Sequence, residues 1–235
     1  MKKFLIFALC TIVIASCSKG DDPQPTEGDF KISDCLAKFN HKYEDLLTAA
    51  DVTKHIPIDE ASFKQDISTH TGTYGSCSYK WDSDRTTTME ILPGHVYEMP
   101  EYNRAEIKLL SFYKPSDLEL YNQSSIIELF DIGYRKLEDD EYAEMLTNLE
   151  RAYAGKPEEL ETAKNLLEIR RNFNYTFVEG LGSSAFHKWH DEYGIELVVL
   201  VGAANFTIAT KVSADKQVNL DLAIALAREV MAKCK

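Results

Sequence analysis

SAFHKWHDEYGIELVVLVGAANFTIATKV, residues Ser184 to Val212, reads as three strands joined by two turns. Ile195 to Val201 is a nearly continuous apolar run, the pattern of a central strand. Gly202-Ala203-Ala204-Asn205 supplies a turn, and Phe206 to Val212 pairs back with alternating polar and apolar positions. Upstream, Ser184 to His190 makes a strand that ends in the turn Asp191-Glu192-Tyr193-Gly194. Two histidines and two carboxylates fall within six positions, His187 to Glu192, which raises the question of a metal or acid–base site. On a helix His187 and His190 would share one face, as metal ligands need. On a strand the same spacing sends them to opposite faces. The strand reading predicts that Trp189 shares a face with His187 and Ala185, while His190 enters the turn.

Outward from this stretch, Asp215 to Cys234 closes the chain as a helix with Leu222, Leu226 and Val230, and the small Ala223 and Ala227, on its apolar face. The middle, Pro115 to Asn172, is helical and acidic, with 14 Asp+Glu against 7 Lys+Arg. Tyr142, Met145, Leu149 and Ala152 form one stripe there; Gly155-Lys156-Pro157 breaks it, and Pro157 suits the first turn of the next helix. These stripes read as helix–helix contacts and the charge excess as a solvated face. In the first half, a helix is predicted from Ser33, as N-cap, to about Ala50. Gly75 to Trp81 reads as a strand and Arg85 to Leu92 as its hairpin partner across Asp82-Ser83-Asp84. A loop then leads to Asn103, and Ala105 to Tyr113 is a further strand.

Ser76 to Asp84 parallels Ser184 to Glu192 at a constant offset of 108, with Ser, Lys and Trp identical, and the chain has two tryptophans in all. The expected fold class is therefore α+β, antiparallel sheet with packed helices. It reads as a degenerate duplication of α-β-β-β-α units around an acidic helical middle, against coincidence between two sheet-forming segments. The organisation is 1–16 as a signal segment, 17–30 as a lipidated cysteine and flexible tether, and 31–235 as the globular domain. Its halves would be 31–114 and 157–235, joined by helices in 115–156.

The signal reading starts from Met1-Lys2-Lys3 and the apolar Phe4 to Ser16, too short to span a bilayer comfortably and suited to a secretory core. Ile14-Ala15-Ser16-Cys17 resembles a bacterial lipobox, which implies that Cys17 is lipidated and becomes the first residue of the mature chain. Asp21 and Asp22 lie in a polar tether, and the acidic pair resembles the export signal of some Gram-negative lipoproteins. That favours a surface-facing outer-membrane location over a periplasm-facing one. Loss of Lys2 and Lys3 takes the formal charge from −12 to −14, and no local run of basic residues offsets it, so no nucleic-acid partner is expected. Of the remaining cysteines, Cys35, Cys77 and Cys234, the pair Cys35 and Cys234 is favoured for a disulfide because they lie in the first and last helices.

VEGLGSSAFHKW, GIELVVLVGAANFTIAT and NLDLAIALAREVMAK together resemble a pattern in extracytoplasmic lipoproteins of unknown function, and CSYKW resembles their cysteine-aromatic strand. The likeness covers Ala49 to Trp81 and Val178 to Lys233; it implies a fold and no chemistry. Phosphate-binding loops, dinucleotide fingerprints, zinc-protease, serine-hydrolase and calcium-loop patterns are all missing, so no cofactor is expected. Two functions follow as expectations. One is a lipid-anchored, non-enzymatic module that binds an envelope protein or a small ligand. The other is a lipid-anchored, metal-dependent hydrolase using His187, His190 and Asp191.

Overall fold

The computed structural model describes residues 26–68, 75–121 and 123–234. The expected signal segment, Cys17 and the tether as far as residue 25 lie outside the described residues. Seven strands, β1 (Lys64–Ser68), β2 (Ser76–Leu92), β3 (His95–Phe112), β4 (Thr176–Phe177), β5 (Ser184–His190), β6 (Gly194–Val201) and β7 (Ala204–Lys211), form one antiparallel sheet. Its order is β1-β2-β3-β7-β6-β5-β4. Helices α1 (Glu27–Leu36), α2 (Tyr43–Leu46), α3 (Ala49–Thr53) and α8 (Lys216–Ala232) cover one face. On the other face α4 (Pro115–Tyr121) leads into α5 (Ile126–Tyr134), which packs on β5; α6 (Asp139–Ala152) and α7 (Pro157–Arg171) form a hairpin beyond it. The fold class is α+β, as the sequence predicts.

The apolar run of β6 has a simple cause. Ile195, Leu197, Val199 and Val201 pack under Leu222, Leu226 and Val230 of α8, while Val198 and Leu200 face the other way, against Ile127 and Phe130 of α5. Each such side chain contributes about 1.5–3 kcal/mol on full burial. The α5 cover stops short. The opposite half of that face, on β1, β2, β3 and β7, carries polar side chains.

Four sequence expectations are corrected. The first helix begins at Glu27, not Ser33, because Thr26 and Asp29 close a reciprocal capping box; it ends at Leu36, and the chain turns through His41 at φ +66° before α2. The tether is correspondingly shorter than 17–30. Asp82-Ser83-Asp84 is not a hairpin turn but an irregularity within one 17-residue strand. Its polar groups are satisfied across the ladder instead: Ser83 Oγ donates to the Glu101 carbonyl and Asn103 Nδ2 to the Asp82 carbonyl. The expected loop before Asn103 is strand as well, so the chain reverses at Gly94, φ +81°. Thr86–Leu92 and His95–Pro100 thus make a two-stranded arm. Finally, the α6 stripe is not core: no α6 side chain is buried, and α7 buries only Leu167.

The two parallel stretches occupy comparable places, since β2 and β5 each lie second from a sheet edge. Cys77, Tyr79 and Trp81 face the same core as Ala185 and Trp189. The element order after them differs, because β2 runs on where β5 turns back. Cys35 and Cys234 are joined with Cα atoms 5.6 Å apart, and Cys77 is a buried free thiol.

Candidate binding site

Cross-strand register assembles the site from residues far apart in sequence. Lys64 on β1 lies opposite Lys80 on β2, Lys80 opposite Arg104 on β3, and Arg104 opposite Lys211 on β7. Opposed residues in a ladder share a face. Four cations therefore stand in one transverse row, each about 4.8 Å from the next strand. The row meets β6 at Gly194, φ +81°, where a Cβ would come within 2.2 Å of the Thr210 carbonyl oxygen and 2.7 Å of Lys211 Cβ. Beyond it, His190 on β5 pairs with Gly194.

Neutralisation along the row is partial. Lys211 ion-pairs with Glu101 and also donates to the carbonyls of Asp191, at 2.5 Å, and Glu192, at 3.0 Å. Arg85 Nε reaches the same Glu101 at 2.7 Å. Burial alone would push the Glu101 carboxyl up; the hydrogen bonds from Lys211 and Arg85 outweigh it and hold the carboxyl below its ordinary range. Arg104 gives one guanidinium nitrogen to Glu106 at 2.7 Å, but its Nε is buried without a partner. Lys64 reaches Asp82 only at 3.9 Å, with both side chains mostly exposed, and its ammonium sits 4.7 Å from the centre of the Tyr102 ring. Lys80 forms no ion pair among the described residues.

The acids of the adjoining row are occupied. Glu196 accepts from Lys108 at 2.9 Å and from the Tyr175 hydroxyl at 2.7 Å. Burial would raise this carboxyl, yet the Tyr175 hydrogen bond and the Lys108 charge hold it low. Burial, and secondly the Glu196 charge, push the Tyr134 hydroxyl up to about 12.

Over the row, the base of the arm and the β5–β6 turn enclose an open groove of about 520 Å³, lined by Lys80, Arg104 and Lys211 together with Tyr102 and Tyr193. The acids Glu101, Asp191 and Glu192 line it too; Glu101 is engaged by Lys211 and Arg85, and Asp191 by Trp189. The tyrosines are 43% and 51% exposed. Such a groove can hold anionic oxygen groups against its floor and lay a ring along its walls.

The histidine site expected from sequence does not assemble. His187 pairs with Leu197 and so faces the α8 side, where burial lowers its pKa. His190 points to the opposite face, its Nε2 buried without a partner and its ring centre 6.3 Å from that of Tyr193. Asp191 Oδ1 accepts from Trp189 Nε1 at 2.7 Å. Among the described residues no group of three or more His, Cys, Asp or Glu is placed to hold a metal ion. No protein-family model, curated protein or solved structure matches this chain.

The basic row escaped sequence reading because each cation stands alone in the chain. Alternation puts Lys80 on a face but leaves its neighbours open. Those follow only from the β2–β3 register, which the supposed turn at residues 82–84 misplaced. Even pairing carried inward from the arm would set Lys80 opposite Glu106; it is the register shift between Asp82 and Thr86 that brings Lys80 opposite Arg104.

Proposed function

We propose that this chain is a lipid-anchored lipoprotein of the outer membrane, facing the cell surface, whose folded domain is a non-enzymatic binding module. The anchor reading rests on Met1-Lys2-Lys3, the apolar Phe4–Ser16 and the lipobox-like Ile14-Ala15-Ser16-Cys17. The outward-facing reading rests on the acidic pair Asp21-Asp22. The observation that carries the binding reading is the groove over a partly unneutralised row of cations. A solvent-open cleft floored by donors without acceptors suits capture of a ligand. The hydrolase reading is disfavoured, because His187 and His190 face opposite sides of the sheet and Asp191 is held by Trp189.

Labelling cells with an alkyne analogue of palmitate tests the anchor: the wild type takes the label and Cys17→Ser does not. Label retained on the serine variant would refute Cys17 as the site. Protease added to intact cells tests orientation. Cleavage of the domain supports the surface-facing reading, and protection that ends only when the outer membrane is permeabilised overturns it in favour of the periplasm.

A further inference from the structure

We propose that the row Lys64–Lys80–Arg104–Lys211 recognises an anionic saccharide, a chain of sugars bearing carboxylate or sulfate groups, laid across the strands in the groove beneath Tyr102 and Tyr193. This rests on the reading of the groove as a binding site and gives that site its ligand. The mature chain carries a formal charge of −14. Gathering four cations side by side works against folding, since like charges directly opposite on neighbouring strands are destabilising. A ligand that brings negative charge to the row removes that penalty.

The saccharide assignment follows from four features. Lys80 has no anionic partner among the described residues, so the floor offers one unused cation, and beneath it the buried Arg104 Nε has no acceptor. The cations stem from successive strands about 4.8 Å apart, close to the advance per sugar of an extended saccharide. The exposed tyrosine rings supply flat apolar surfaces for the C–H faces of sugar rings. An extended peptide binds best by adding to a free strand edge. At Lys80 and Arg104 the floor has none, because β2 is paired there to β1 and β3, and β3 to β2 and β7. The free outer edge of β1 lies beyond the groove, so oligoglutamate is the probe that tests this alternative.

A flat lipid surface is disfavoured because the Arg104 and Lys211 side chains are only 28% and 13% exposed, recessed below the tyrosines. Nucleic acid is disfavoured by the acidity of the surrounding molecule, which repels a phosphate backbone away from the row.

The test is calorimetry on the full-length protein in detergent. The probes are tetragalacturonate, a chondroitin sulfate tetrasaccharide, neutral maltotetraose, oligoglutamate, a short oligothymidylate and vesicles containing anionic lipid. Binding of one or both anionic saccharides, weakening with salt and absent for maltotetraose, is expected; which of the two binds tells carboxylate from sulfate recognition. Lys80→Gln and Tyr193→Ala, neither of which strands a buried partner, should each weaken binding about tenfold, the loss expected for a charge-assisted hydrogen bond or a ring contact. Arg104→Met should weaken it more. Lys136→Gln, on the exposed surface, should leave it unchanged. Binding of neither anionic saccharide, equal binding of maltotetraose, or preference for the peptide, the nucleotide or the vesicles would overturn the assignment. Cleavage of a bound oligosaccharide would leave the recognition standing and overturn the non-enzymatic reading instead.

Discussion

Neutralising Lys80 should make the protein more stable, although it removes a cation from an acidic chain. Lys80 stands between Lys64 and Arg104 in the ladder, with no compensating carboxylate among the described residues. If the charges stand one strand spacing apart, about 5 Å, each like-charge contact costs about 0.8 kcal/mol in the dielectric of water. Lys80→Gln should therefore gain about 1 kcal/mol, a rise of about 2–4 °C in Tm for a domain of this size. The gain is electrostatic, so it should shrink between 0.1 M and 1 M salt as the screening length falls from about 10 Å to 3 Å. Thermal unfolding followed by circular dichroism at the two salt concentrations measures it, with exposed Lys136→Gln as control. The control should be neutral or slightly destabilising, because Lys136 lies outside the row. A Lys80→Gln variant less stable than wild type, or a gain independent of salt, would refute the reading of the row as frustrated.

Other consequences are equally specific. Burial would raise the Asp51 carboxyl, but hydrogen bonds from Lys233 and Thr48 outweigh it and lower its pKa to about 2. A depressed folded pKa stabilises above the unfolded value near 4 and is lost as pH falls toward 2, about 2 kcal/mol in all; Asp51→Asn should flatten that part of a urea-denaturation pH profile. The Cys35–Cys234 bridge spans 199 positions, so replacing both residues with Ser should cost about 3–5 kcal/mol by denaturant titration, and an unchanged midpoint would contradict its role in closing the chain. Gly194→Ala meets both a positive φ and the Thr210 carbonyl oxygen at 2.2 Å, so a loss of about 2–4 kcal/mol in denaturant is expected. Replacing Leu92 and Val96, 61% and 62% exposed, with Thr should leave Tm within about 1 °C, because the arm tip contributes little buried area.

Legibility in the sequence followed burial. The β5–β6–β7 meander and α8 could be read from alternation and a continuous apolar run because both faces of β6 are covered. The start of α1 was hidden by Pro25 and Gly28, which suggested a tether, while Thr26 and Asp29 held the capping signal. The long β2–β3 ribbon was misread for the opposite reason. Its outer part is exposed on both faces and shows no clean alternation, so the polar triplet Asp82-Ser83-Asp84 looked like a turn. That triplet conceals the row of cations, whose members are neighbours only through register. His190 was noticed for its proximity to His187 along the chain, yet its structural neighbours are Gly194 and Tyr193.

A crystal structure of the protein grown with whichever anionic tetrasaccharide binds tests the row most directly. Carboxylate or sulfate oxygens should lie within hydrogen-bond distance of Lys80 Nζ and beside the Arg104 guanidinium, with a sugar ring against Tyr193. An oligosaccharide bound on the arm tip or the α8 face, with the row unoccupied, would contradict it.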